Sequence, residues 1–224
     1  VTYLRGLIEI SNICKKDCFY CGIRKSNHDI DRYTIDAQYA IDLAMKAWRK
    51  GFGSVVIQSG ERTDPAFIDL ITQVVKTIRM NTNNEVGITL SCGEQSADTY
   101  RQWFAAGAHR YLLRIETSNE ELFRTIHPQD RHHLYGTRME CLHNLRRTGY
   151  QTGTGVMIGL PGQTLGHLAD DLIFFKEMDV DMIGMGPFIP HSDTPMGRLG
   201  AGFIPSEEER LELSLRMIAL ARII

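Results

Sequence analysis

Residues 51–65 read Gly-Phe-Gly-Ser-Val-Val-Ile-Gln-Ser-Gly-Glu-Arg-Thr-Asp-Pro. The glycines at 51 and 53 break a preceding helix, and residues 54–58 form a short apolar, β-branched run expected to be a buried strand. Ser59-Gly60 ends it. Asp64-Pro65 opens a helix to about Met80, because proline suits the first helical position, where its missing N–H costs nothing. Strand, loop and helix in immediate succession are the building unit of a parallel α/β sheet.

The same unit recurs on both sides. Residues 2–10 alternate as a strand, 11–31 form a loop, and 34–50 read as a helix. Thr34 is placed to cap that helix, and Ile41, Ala44, Met45 and Trp48 fall at helical spacing. Further strands are expected at 85–91, 110–115, 152–158 and 181–185. Helices are expected at 96–106, 134–148, 164–178 and 206–224. Parallel strands need crossover helices, and these are right-handed almost without exception. Periodicity leaves open whether the six units form a doubly wound sheet or a barrel arc. Both put function in the loops after the carboxyl ends of the strands.

The 224 residues carry 25 basic and 27 acidic side chains, a formal charge of −2. Nucleic-acid binding through a basic surplus is therefore excluded. No apolar run approaches the ~20 residues that span a bilayer, so no membrane partner is expected. The chain opens on Val1 and stops within a helical pattern at Ile224, so 1–224 is expected to be one core domain truncated at both ends.

Five cysteines are present, three of them within eight residues. An odd, clustered set is a poor disulfide framework and fits a reduced compartment with one thiolate metal site. Cys92 and Cys141 read as buried small hydrophobes.

The cluster is Cys14-Lys-Lys-Asp-Cys18-Phe-Tyr-Cys21, a C-x3-C-x2-C spacing in the loop after the first strand. Three thiolates suit a soft metal or an iron–sulfur cluster. A [4Fe–4S] cubane held by three cysteines leaves one iron open to another ligand. The competing reading is a structural zinc site with His28 as fourth ligand. Structural zinc usually draws on paired C-x2-4-C knuckles, and no second pair exists here.

This motif, with an aromatic Tyr20 before its last cysteine, resembles the signature of radical S-adenosylmethionine (SAM) enzymes. The resemblance implies a [4Fe–4S] cluster on Cys14, Cys18 and Cys21, with SAM on the open iron. It also implies a partial TIM-like barrel: about six β/α units of a core that is (β/α)8 when complete. Ser59-Gly60-Glu61 resembles the family's Gly-Gly-Glu motif at the SAM amino group. The Gly155-Val-Met-Ile-Gly159 stretch resembles the segment that approaches adenine, with Gln163 where the family has Glu. The resemblance makes Glu116 the ribose acid and Arg138 the partner of the SAM carboxylate. For Glu116, a salt bridge to Arg114 is the plain alternative.

Several phrases resemble one subgroup, the HydE-type maturases of [FeFe]-hydrogenase, related to biotin synthase and methylornithine synthase. They are Glu9-Ile-Ser-Asn-Ile-Cys14, Gln58-Ser-Gly-Glu61, Thr89-Leu-Ser-Cys-Gly-Glu94, Arg110-Tyr-Leu-Leu-Arg-Ile-Glu-Thr117, Gly159-Leu-Pro-Gly-Gln-Thr164 and Gly186-Pro-Phe-Ile-Pro-His-Ser-Asp-Thr-Pro195. That resemblance implies a small-molecule or organometallic substrate, with Thr89 and Arg110 lining its cavity. It implies a reduced donor such as ferredoxin or flavodoxin, other hydrogenase maturases as partners, and a cytoplasmic setting. Methylornithine synthase-like or biotin synthase-like chemistry is the alternative. A non-enzyme alternative is a β/α scaffold with a structural or electron-transfer metal site.

Other candidates have plainer readings. His127, His132, His133 and His143 sit in a polar helical region and read as solvated surface, while His191 is a candidate for the cavity mouth. Met157, Met182 and Met185 read as buried strand residues.

Overall fold

The fold is that of a computed structural model, which describes residues 4–199 and 202–224. It alternates β1 (Gly6–Ser11), α1 (Ala37–Arg49), β2 (Ser54–Ser59), α2 (Pro65–Asn81), β3 (Gly87–Ser91), α3 (Ala97–Ala106) and β4 (Arg110–Leu112). Two helices follow, α4 (Glu120–Thr125) and α5 (Tyr135–Thr148). After them come β5 (Gln151–Thr154), β6 (Met157–Ile158), α6 (Leu165–Glu177), β7 (Met182–Ile183), β8 (Gly186–Pro187) and α7 (Glu207–Leu220). The first two residues of the expected 2–10 strand lie outside the described residues.

Six strands form one parallel sheet in the order β1-β2-β3-β4-β5-β7. Sequential order with a helix after each strand is the topology of a barrel wall rather than of a sheet whose order reverses. The expected partial TIM-like barrel is therefore what forms, and the doubly wound alternative is not.

Alternation along the strands separates two faces. Ile8, Ile10, Val55, Ile57, Ile88 and Leu90 are buried against Ile41, Ala44, Phe67, Ile71, Val74 and Trp103 of the helices. The opposite face looks into the barrel. Cys92 and Cys141 are buried, as their packing reading expected. No helix among the described residues is long and apolar enough to cross a membrane.

The expected strand at 152–158 is two strands. At Gly155 the backbone runs so close to Gly184 that a Cβ would collide with the Gly184 carbonyl. Past this contact both segments leave the main sheet together, and β6 pairs with β8 as a separate two-stranded ladder. Thr34 is not the helix cap. Its Oγ1 lies 2.9 Å from Ser11 Oγ, and Asp36 Oδ1 caps α1 by accepting from Tyr39 N at 2.8 Å.

Candidate functional site at the carboxyl ends of the strands

The loop after β1 has little regular structure, so side chains satisfy its backbone. The Arg32 guanidinium donates to the carbonyls of Asn12, Ile23, Arg24 and Asn27 at 2.7–2.9 Å. Asp17 accepts from Ser26 N at 3.0 Å and pairs with Arg24 at 2.8 Å. The loop is thereby wound into a fixed shape that turns all three thiols to one side.

That side is the wall of a cavity of about 810 Å³ lined by Cys14, Cys18, Cys21 and Tyr20. The loop after β2 adds Ser59, Gly60 and Glu61, and the end of β4 adds Arg114 and Glu116. Arg138 enters from α5, Met157 from β6, and Met185 and His191 from the last described strand-end loop. Six expected groups therefore converge: the cysteines, Glu61, Glu116 and Arg138.

The first two loops interlock. Cys14 Sγ accepts from Glu61 N at 3.3 Å and from Lys16 N at 3.4 Å, and Lys15 N donates to Glu61 O at 2.9 Å. A Cβ on Gly60 would fall 2.8 Å from Cys14 Cβ and closer still to the Ile13 carbonyl, so only glycine permits this approach. Ser59 Oγ donates to the Gly60 carbonyl at 2.7 Å. Burial pushes the Cys14 and Cys21 thiols up and Cys18 to about 12. The thiols are held protonated until a metal displaces the protons.

The acids and bases are tied to one another. Glu61 Oε2 accepts from Glu94 N at 2.8 Å, and its Oε1 lies 3.4 and 3.5 Å from the ammonium groups of Lys15 and Lys16. Lys16 turns inward and meets Glu94 at 2.7 Å, and Glu94 meets Arg138 Nε at 2.6 Å. Burial works against the Glu94 charge, but Arg138 and Lys16 outweigh it and hold its carboxyl below the usual range. Arg138 also donates to the Arg114 carbonyl through Nη1. Lys16 and Glu94 escaped the sequence reading, although a signal existed: an acid follows each of β2, β3 and β4.

Glu116 adopts φ +70°, a left-handed conformation unusual for a side chain of its size. Gly155 O accepts its N–H, and its own carbonyl accepts from Met157 N at 3.0 Å. Its carboxylate lies 3.1 Å from Arg114 Nη2, so the salt bridge weighed for it exists alongside its place in the cavity.

Three expected residues do not line this cavity. Arg110 is the first residue of β4. It therefore sits at the amino end of the barrel, where its Nε donates to Gln151 at 2.8 Å, and the arginine that this segment brings to the cavity is Arg114. Thr89 is buried mid-strand in β3, below Ser91 on the barrel-facing side, and its Oγ1 has no hydrogen-bond partner. Gly159 lies past the end of β6, packed against Arg210, with its N–H donated to Gln163 at 2.7 Å. Gln163 staples its own loop, also donating to the Met157 carbonyl at 3.0 Å.

The solvated-surface reading fails for His127 and His133, both buried. Tyr20 meets His127 at 3.2 Å, and His133 meets the cysteine loop. His191, the candidate for the cavity mouth, is in the cavity lining, and Met157 is buried while Met182 and Met185 are half-buried.

The donor set fits a [4Fe–4S] cluster. No group of three or more His, Cys, Asp or Glu among the described residues converges tightly enough for a single ion, and the exposed His28 is not in the cavity lining. A cubane spreads its thiolates over separate irons, so three thiols around a roomy cavity suit it. Glu61 Oε1 and Glu116 Oε2 are buried without a well-aligned hydrogen bond, the first beside the Lys15 and Lys16 ammonium groups and the second beside Arg114, so each keeps acceptor capacity for the polar groups of a ligand such as SAM.

Comparison with known proteins agrees. The chain is 43% identical over 223 residues to the [FeFe] hydrogenase maturase subunit HydE of Thermotoga maritima, covering 99% of this chain and 60% of that protein. It is 26% identical over 229 residues to the 3-methylornithine synthase of Methanosarcina acetivorans, again with 99% and 60% coverage. The crystal structure of methylornithine synthase superposes with a TM-score of 0.83 at 21% identity, covering 98% of this chain and 62% of that one, a likeness of fold. The chain thus spans about three fifths of the curated relatives it matches. The model of the Radical SAM superfamily matches residues 8–175, from β1 with its cysteine loop to α6, and the chain belongs to that superfamily.

Proposed function

We propose that this protein is a radical SAM enzyme acting in the assembly of the [FeFe]-hydrogenase cluster. The observation that carries the enzymatic reading is the convergence of three cysteines with Glu61, Glu116 and Arg138 on one cavity. A structural or electron-transfer metal site has no use for those three charged groups beside it.

In this reading Cys14, Cys18 and Cys21 hold a [4Fe–4S] cluster. When bound, cluster and SAM supply reductive cleavage of the sulfonium to methionine and a 5′-deoxyadenosyl radical. Glu61 offers an acceptor to the SAM ammonium group, and Glu116 accepts from the ribose hydroxyls. Arg138 takes the SAM carboxylate through Nη2, because its Nε and Nη1 are committed to Glu94 and to the Arg114 carbonyl. Met157 and Tyr20 close the apolar side and keep water from the reacting centre. A reduced ferredoxin or flavodoxin supplies the electron in a cytoplasmic setting.

The maturation role rests on the 43% identity to HydE, against 26% to 3-methylornithine synthase. The substrate is then a small iron–cysteine–carbonyl–cyanide species, and other hydrogenase maturases are the partners. The test begins with anaerobic reconstitution by iron and sulfide, followed by reduction with SAM present. Methionine and 5′-deoxyadenosine in equal amounts support the enzymatic reading. Stable stoichiometric zinc without SAM cleavage overturns it. Restoration of hydrogenase activity in a strain lacking its HydE-type maturase supports the maturation role, and failure of an active protein to restore it removes that role.

A further inference from the structure

Residues 126–133 touch the cysteine loop at four points. Phe19 N donates to the Ile126 carbonyl at 3.0 Å, Tyr20 OH meets His127 Nε2 at 3.2 Å, Lys16 Nζ donates to the His132 carbonyl, and Asp17 N meets His133 Nε2 at 2.9 Å. The last contact falls between Cys14 and Cys18.

The chemistry of that contact is fixed by elimination. A backbone N–H can only donate, so His133 Nε2 accepts. The ring proton then sits on Nδ1, which faces Asp130 Oδ1 at 2.7 Å. The pattern is carboxylate, imidazole and target in line, the arrangement by which a carboxylate fixes tautomer and ring orientation beside metal sites. Here the imidazole holds the backbone that carries two thiols rather than a metal. The His133 side chain is 1% exposed, so in the folded protein the imidazole and not bulk water satisfies the Asp17 N–H.

We propose that His133, oriented by Asp130, is a positioning residue for the iron–sulfur cluster: by accepting the Asp17 N–H it sets the Cys14–Cys18 loop in the shape that receives and retains the cluster. His127 acts beside it on Tyr20. Its Nδ1 donates to the Phe123 carbonyl at 2.9 Å, which leaves Nε2 to accept from the Tyr20 hydroxyl. This inference rests on the radical SAM reading, because it presumes a cluster on the three cysteines.

The experiment uses the full chain, reconstituted anaerobically with iron and sulfide. Wild type that takes up no cluster counts against the radical SAM reading, whatever His133 does. With loaded wild type as reference, His133→Ala is expected to lose iron to a chelator about 10-fold faster, the low end of what such supporting residues cost. The EPR line shape of its reduced cluster should shift as well. His133→Gln, whose amide oxygen can still accept the Asp17 N–H, restores both toward wild type. Asp130→Ala changes a side chain that is 45% exposed and leaves no core cavity, so it reads the same effect at smaller size even if His133→Ala does not fold. Wild-type iron retention and EPR in Asp130→Ala and in any folded His133→Ala overturn the proposal. The same holds if His133→Gln is as impaired as a folded His133→Ala.

Discussion

Arg138 Nε donates to Glu94 Oε1 at 2.6 Å, with each side chain 8% exposed, and Lys16 closes on the other Glu94 oxygen at 2.7 Å. One carboxylate thus bridges two buried cations, Lys16 of the cysteine loop and Arg138 of α5. Removing it leaves Arg138 without its carboxylate and Lys16 with only Glu61 at 3.5 Å, and a stranded buried charge costs about 3–5 kcal/mol. Glu94→Ala is expected to lose that much stability in chemical denaturation, and Glu94→Gln less, since its amide oxygen still accepts one bond.

The same carboxylate gives a signed pH effect. Its pKa is held below the usual 4.5, so its stabilisation is complete above that value and lost as pH falls through the lowered folded value. Wild type is expected to lose stability on acidification below about pH 4.5. Glu94→Gln should lose less over the same interval, which denaturation curves at pH 3 to 5 would check.

Glu116 combines a strained backbone with an acid in the cavity wall that is proposed to meet the SAM ribose. A left-handed φ costs an L-residue about 1–2 kcal/mol, which glycine recovers. Glu116→Gly is therefore expected to stay within about 1 kcal/mol of wild-type stability, the relief offsetting the lost pairing with Arg114. Its affinity for SAM should fall by about 10-fold or more, the worth of hydrogen bonds to a charged group. Titration calorimetry on the reconstituted protein reads it, and unchanged affinity would remove Glu116 from the ribose site.

What the sequence made legible follows from the range of the forces involved. The strand–helix units rest on local periodicity, and all six main-sheet strands stand where that periodicity puts them. The cysteines are legible because their spacing is local. Thr34 and Asp36 are both good caps, and only the bond from Thr34 to Ser11, 23 residues away, decides between them. His127 and His133 look like surface in a polar run, because the partners that bury them lie more than 100 residues back in the cysteine loop. Arg110 is a different case. As the first residue of its expected strand it already belonged at the amino end, away from the cavity.

Asp171 on α6 has no exposure and holds the turn two residues beyond Glu116, accepting from Ser118 N at 2.6 Å and Ser118 Oγ at 2.7 Å. Burial pushes its carboxyl up to about 6, despite the Ser118 bonds that pull it down. A folded pKa above the unfolded 3.8 means the native state retains a proton that the unfolded chain has released. Stability from this group is therefore greatest at low pH and declines as pH rises from about 4 to 6, by up to about 3 kcal/mol. Asp171→Asn keeps an acceptor for Ser118 and cannot ionise. The stability difference between wild type and this variant should change by that amount between pH 4 and 7, in favour of the variant at the higher pH. A constant difference would show that Asp171 titrates normally.

The Gly155–Gly184 contact makes two superficially equal substitutions unequal. A Cβ on Gly155 would be driven into the Gly184 carbonyl, which is backbone and cannot rotate away. A Cβ on Gly184 would meet Leu112 at 3.6 and 3.7 Å and the Thr154 carbonyl at 3.9 Å, ordinary contact distances. Gly155→Ala must push β5 and β7 apart where they leave the main sheet, and overpacking of this kind costs about 3 kcal/mol or more. It also moves the segment that bonds Glu116 on both sides, through Gly155 O and Met157 N. Gly184→Ala is expected within about 1 kcal/mol of wild type, because it adds a methyl group to existing space. Denaturation of the two variants measures the asymmetry, and SAM affinity should follow it, reduced for Gly155→Ala and retained for Gly184→Ala. Equal stability losses would mean that the two strands are not in backbone contact, and the split of β5 from β6 would need another cause.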